Sequence, residues 1–190
     1  FLRGVLYVSE ETHHSAQKAA LLAGLLPDRI RAIPVDERFR IRIDALDGCP
    51  RYVARVIRGL GVGVTPIRAQ ARLTACGMRP ISAIVDATNY AMLELGQPLH
   101  AFDMRHLEGS GIVVRRAAEG ETLRTLDDVE RTMGEGDLLI CDLERPVAIA
   151  GVMGGGTSEV GDETPDVLLE WAAFPRTGVL RTARRLDLHT

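Results

Sequence analysis

Cysteine is scarce: Cys49, Cys76 and Cys141 are an odd number and show no close metal-ligand spacing. No zinc site is readable, and a reduced setting is expected rather than a disulfide framework. Lysine is scarcer still, with Lys18 alone. No apolar run approaches the length needed to span a bilayer, and the N-terminus lacks a secretory cleavage pattern, so a cytoplasmic protein without a membrane partner is expected. Positive charge is not in surplus either. A net charge of −3 argues against a protein devoted to a sequence-independent grip on nucleic-acid phosphate, while local basic patches stay open. The chain starts at Phe1 instead of methionine, which suggests a piece excised from a longer protein.

What is present fits a soluble globular protein: 190 residues, enough for one large or two small domains, with 46% hydrophobic and 26% charged residues. Residues 4–9 read as a strand, 15–26 as an amphipathic helix with Ala19, Leu22 and Leu26 on one face, and 31–34 and 39–43 as two more strands. That is a short βαβ-like pattern. A polar cluster with His13 and His14 lies between the first strand and the helix. Asp47-Gly48 is a turn signal. Residues 51–57 alternate as a strand and end in the glycine-rich turn GLGVGV. Thr65 as N-cap and Pro66 at the first position then open a helix. Arg68, Arg72 and Arg79 decorate it, as a solvated face or as contacts to nucleic-acid backbone.

The run MRPISAIVDATNYAMLELGQPLHAFD, residues 78–103, holds most of the residue types a small-molecule pocket needs. Ile84-Val85 followed by Asp86, Thr88, Asn89 and Tyr90 reads as a short buried strand delivering polar side chains at its end. Met92, Leu93 and Leu95 read as a turn or more of helix, which Gly96 stops. Pro98 fixes its own φ and keeps Gln97 out of the helical region, so His100 follows on stiff backbone. An unshifted imidazole titrates near neutrality, which suits proton transfer. Further on, residues 111–116, 137–142 and 147–150 read as strands, and 122–126 with 129–132 as a hairpin around Asp127-Asp128. The GVMGGG loop of Gly151 to Gly156 is neither a Walker loop nor a dinucleotide fingerprint. Glycines at that density serve either a close-approaching ligand or a tight structural turn. Glu170, after the apolar Val167-Leu168-Leu169 and before Trp171, is expected to be buried, held in an ion pair with an arginine or facing a ligand.

Four motifs in one order carry a resemblance: VDATNYAMLELGQPLHAFD, PVAIAGVMGGGTSEV at 146–160, VLLEWAAF at 167–174 and RTARRLDLHT at 181–190. Together they resemble the B3/B4 domain of the bacterial phenylalanyl-tRNA synthetase β subunit, from CPRYVARVIRGL at Cys49 to the last residue. The resemblance implies an α+β fold, a layered domain with a β-sandwich-like core and flanking helices. It also implies an editing activity, hydrolysis of tyrosine wrongly esterified to phenylalanine tRNA, with the synthetase α subunit and the remaining β-subunit domains as partners. By the same resemblance, Glu170 and the backbone at Ala150-Gly151 recognise the phenolic hydroxyl; Thr88, Asn89, Pro98 and Thr190 complete the pocket; and His100, with Asn89 and Thr88, orients water. Such an acceptor and donor discriminate tyrosine from phenylalanine, because an analogue without the hydroxyl leaves buried polar groups unpaired. Aspartates stand at 128 and 187 where the family has glycine, Ile67-Arg68 replaces its tryptophan, and the chain stops inside the last motif. No class II catalytic motif is present, so aminoacylation is not expected of this chain.

Residues 1–47 do not share that resemblance. YVSEETHHSAQKAALLAGL and RAIPVDERFRIRIDAL resemble a segment of the pyridoxal-phosphate-dependent group II amino-acid decarboxylases, in which a histidine matching His13 stacks on the cofactor. Lys18 is not where that family places its Schiff-base lysine, so no cofactor is expected. The two resemblances imply a decarboxylase-like segment over 1–47, possible chimera, ahead of an editing domain over 48–190. The alternative in another class is a non-catalytic structural or tRNA- or protein-binding module on the same fold.

Overall fold

The computed structural model describes residues 6–8, 30–32, 40–61, 63–109 and 111–188. In chain order the elements are β1 (Leu6–Val8), β2 (Ile30–Ala32), β3 (Arg40–Ile43), β4 (Arg51–Ile57), α1 (Ile67–Ala75), α2 (Ala83–Leu95), β5 (His100–Asp103), β6 (Gly111–Arg116), β7 (Thr122–Arg124), β8 (Glu130–Thr132), β9 (Leu138–Cys141), β10 (Pro146–Ile149), β11 (Met153–Gly154), β12 (Val167–Ala173) and α3 (Arg176–Arg185). The class is the expected α+β. Two compact units share the chain: Phe1–Asp36, Arg55–Asp103 and Val160–Glu170 form one, and Glu37–Ala54, Met104–Glu159 and Trp171–Thr190 the other.

In the first unit β1 and β2 pair in parallel, as the strand-helix-strand pattern requires; the helix expected between them, with His13, His14 and Lys18, lies outside the described residues. β5 pairs antiparallel with Val167–Glu170 of β12. α2 differs from expectation. Residues 84–90 are not a strand but the first half of one helix that runs to Leu95. Ser82 is its N-cap, accepting from Val85 N–H, and the carboxylate of Asp86 closes the turn by accepting from Ile81 N–H at 2.8 Å. These bonds, together with the one that the Thr65 hydroxyl donates to the same carboxylate from outside the helix, outweigh the strand preference of the β-branched pair Ile84-Val85. Gly96 ends the helix as expected, with φ of 70°. The start of α1 is also corrected: Pro66 holds the cap position, and the Thr65 hydroxyl donates to Asp86 instead of capping its own helix.

The second unit is built on a five-stranded sheet in the order β11-β10-β9-β6-β3, antiparallel except for the parallel pair β3 and β6. Period-2 alternation sorts its faces. Val113, Leu139, Cys141 and Ile149 project to one side, where Leu123 from the β7-β8 hairpin and Met133 close over them. The hairpin turns at Asp127-Asp128, and Asp128 takes a φ of 63°, the left-handed conformation that follows a type I turn in such loops. α3, which the sequence reading did not single out as a helix, ends with Leu186 and Leu188 packed against the same core. Glu37–Ala54 belongs to this unit.

Candidate functional site

The antiparallel pairing of β5 with β12 brings the expected acid and imidazole together: Glu170 stands directly opposite His100, and Leu168 opposite Phe102. Directly opposed residues point to the same face of a sheet, with Cβ atoms roughly 5 Å apart. His100, Phe102, Leu168 and Glu170 therefore share one face. Phe102 and Leu168 are fully buried, and Glu170 is 6% exposed. The imidazole lies edge-on to the Phe102 ring, with centroids 4.5 Å apart. Burial pushes its pKa down to about 4, so the ring is neutral at physiological pH, in place of the near-neutral titration expected from the residue type. A neutral imidazole carries one donor and one acceptor nitrogen, enough to hold and polarise a water. Phe102 was not anticipated; the alternation HAFD, two residues on from the histidine, is the signal for it.

On the opposite face of the same strands, buried Asp103 accepts from the Thr164 hydroxyl at 2.7 Å, which ties β5 to the approach to β12. Pro98 lies in the connection between α2 and β5. α2 packs beside β5 and carries Thr88 and Asn89, both half-buried. The Thr88 hydroxyl donates to Val85 O at 2.7 Å within the helix and keeps its lone pairs for an incoming donor. Asn89 makes no side-chain hydrogen bond among the described residues. No group of three or more His, Cys, Asp or Glu among the described residues could hold a metal ion.

Ala150 and Gly151 belong to the second unit, and Thr190 lies outside the described residues. Ala150 lines a cavity of about 170 Å³ with Arg116, Leu138, Phe174, Val179 and Arg181. The glycines beside it serve packing. Gly151 has a φ of 68°, and a Cβ there would stand 2.9 Å from Phe174 and 3.0 Å from Val179. At Gly155 it would stand 2.5 Å from the Val147 carbonyl oxygen. Of the two uses open to this loop, close approach by a ligand or a tight turn, these contacts belong to the turn: protein lies against the bare backbone.

The B3/4 domain family matches residues 48–190. The chain belongs to this family. Curated relatives of the B3/4 chain are phenylalanine–tRNA ligase beta subunits. That of Symbiobacterium thermophilum is 55% identical over 148 residues, 78% of this chain and 17% of the relative. That of Geobacter metallireducens is 50% identical over 158 residues, 83% and 20%. The Dehalococcoides mccartyi protein is 46% identical over 177 residues, 88% and 22%, a span that reaches ahead of Gly48. The chain thus spans about a fifth of the length of these relatives. Among solved structures, an N-terminal fragment of the phenylalanyl-tRNA synthetase beta subunit from Pyrococcus horikoshii superposes with a TM-score of 0.53 over 79% of this chain and 48% of that one, at 14% identity, a likeness of fold. No helix among the described residues is long and apolar enough to cross a membrane.

Proposed function

We propose that this domain hydrolyses the ester linking a wrongly attached tyrosine to phenylalanine tRNA, in the cytoplasm and as part of a phenylalanine–tRNA ligase. The observation that carries the reading is the Glu170–His100 cross-strand pair in a B3/4 domain. Glu170 accepts the phenolic hydroxyl. His100, neutral through burial, orients the attacking water together with the Thr88 hydroxyl oxygen, which accepts from it, and the Asn89 amide donates to the ester oxygens. Pro98 keeps the approach to His100 stiff. The aminoacyl ester is already activated, so positioned water and a few donors toward the developing oxyanion suffice without a covalent nucleophile.

The partners of this reading are the tyrosine-bearing acceptor end of the tRNA, the ligase α subunit and the other β-subunit domains. Aminoacylation is not assigned to it, and no cofactor enters the chemistry. Residues 1–47 contribute no catalytic group to it, whatever their origin.

The test is release of tyrosine from tyrosyl-tRNA(Phe) by the wild-type chain, Glu170→Ala and His100→Gln, with phenylalanyl-tRNA(Phe) alongside. Tyrosine release well above background, lost in His100→Gln and with its preference over phenylalanine erased in Glu170→Ala, supports the reading. Background release by all three proteins rejects it in favour of a non-catalytic structural or binding module.

A further inference from the structure

Charge is distributed unevenly along the chain. Between Gly48 and Val85 there are six arginines and neither Asp nor Glu, in a chain whose net charge is −3. Three of those arginines, Arg68, Arg72 and Arg79, lie along α1 and its exit, and all three are exposed. Their placement costs the fold something. Arg68 and Arg72 are one turn apart on the same helical face with no acid between them, and like charges at that spacing are destabilising. Arg68 also sits in the first turn, where a helix disfavours a cation and where no acidic residue offsets it. Arg68 and Arg79 have no ion-pair partner among the described residues. Arg72 is held in place: its guanidinium donates to the Tyr90 hydroxyl on α2 and lies 6.0 Å from the Tyr90 ring centroid.

We propose that the outer face of α1, through Arg68, Arg72 and Arg79, binds the phosphate backbone of RNA. An all-arginine surface suits phosphate, because each guanidinium forks onto two oxygens. A surface of one sign attracts a backbone of the other without fixing a register, whereas protein interfaces set register with complementary charges of both signs. Exposed Val64, Ile67 and Ile81, at 85%, 76% and 65%, stand within four residues of these arginines along the chain and offer apolar surface to ribose and base edges. The arginines' unrelieved repulsion in the free domain is removed when phosphate arrives. The inference extends the editing reading by naming the surface that carries the RNA, and it rests on that reading only for which RNA comes.

The experiment uses the 190-residue chain and a fluorescein-labelled RNA hairpin with a single-stranded CCA end, titrated by anisotropy between 25 and 200 mM salt. The variants are Arg68→Glu with Arg79→Glu, the matched Lys pair, and Arg176→Glu with Arg184→Glu on α3 as a control for general charge. The Arg68/Arg79 reversal should weaken binding on the order of tenfold at 50 mM salt and lower the salt slope by about two, close to one per lost phosphate contact. The Lys pair should retain most of the binding, and the α3 control should match wild type. Circular dichroism melting confirms that each variant folds. An unchanged slope in the reversal, an equal loss in the α3 control, or no salt-dependent binding by wild type overturns the proposal. Displacement of the hairpin by poly-glutamate at equal charge reassigns the face to an acidic protein and also overturns it. Arg68- and Arg79-dependent binding with no tyrosine release would reject the editing reading alone; tyrosine release with an unchanged salt slope would reject the RNA surface alone.

Discussion

Replacing Asp187 by glycine should make the protein more stable. Asp187 follows α3 with a φ of 54°, one of two described non-glycine residues in the left-handed region. Its N–H donates to Arg184 O at 3.3 Å, and the Leu188 N–H donates to Ala183 O at 2.8 Å, the paired bonds of a Schellman ending. Gly77 occupies the same position after α1, with a φ of 81° and the same two bonds, Gly77 N–H to Thr74 O and Met78 N–H to Leu73 O. The left-handed conformation costs an ordinary residue roughly 1–2 kcal/mol, less for Asp. An acid beside the negative end of a helix costs roughly 0.3–1 kcal/mol more. Glycine removes both terms and gives back about 0.5–1 kcal/mol through the greater freedom of the unfolded chain. The net expectation is a gain of about 1 kcal/mol, or roughly 2–4 °C in Tm for a chain of this size. Thermal and urea melts of wild type, Asp187→Gly, Asp187→Asn and Asp187→Ala should rank Gly, Asn, Asp, Ala from most to least stable. Asparagine tolerates the conformation without the charge, so its advantage should shrink at high salt while that of glycine persists. An Asp187→Ala protein as stable as Asp187→Gly would refute the reasoning, because only the backbone conformation separates the two.

Three further outcomes follow from the packing. The neutral His100 is favoured by the folded state, so stability should be level above about pH 6.5 and fall as the pH drops toward 4, by about 3 kcal/mol in all; His100→Gln should flatten that limb of a urea-melt pH profile, and an unchanged limb would place the titrating group elsewhere. Burial works against the charge on Asp137, but the Gly134 N–H, the Thr182 hydroxyl and the Arg185 guanidinium outweigh it and hold the carboxyl below its ordinary range. Asp137→Ala strands these donors and should cost about 2–4 kcal/mol in a urea melt, with Asp137→Asn losing less. Of the three free cysteines Cys76 is exposed while Cys49 and Cys141 are buried, and burial pushes the Cys141 thiol up to about 11; Ellman's reagent should titrate one thiol quickly in the native protein and all three in guanidinium.

Strands were legible as short apolar runs bounded by polar or turn residues. In residues 111–116 and 137–142 both faces are buried, Ile112 and Ile140 as well as Val113 and Leu139, so the apolar run itself is the signal and alternation is not. α2 was not legible in its first half because Ala83, Ile84, Val85, Ala87, Ala91 and Met92 spread apolar side chains around the helix, leaving a short run that reads equally well as a strand. What decides it is tertiary: Asp86 is buried and shared between Ile81 N–H and the Thr65 hydroxyl, a bond across 21 residues. The same bond removes Thr65 from the cap of α1. One long-range contact thus accounts for both errors.

The two glycine-to-aspartate departures were visible as departures, and their consequence is local: each aspartate accepts the conformation the glycine would have had. The candidate site divides differently. The motifs named Glu170 and His100, but their spacing of 70 residues says nothing of adjacency; that comes from the register of β12 on β5, which puts Glu170 on His100, Leu169 on Ala101, Leu168 on Phe102 and Val167 on Asp103. A slip of one residue would turn Glu170 to the opposite face from His100. Asp103 guards against that slip: it is wholly buried and accepts from Thr164, three residues ahead of β12, so a shifted strand would leave a charged carboxylate without that donor in the interior. The polar pair on one face is kept in register by the carboxylate on the other.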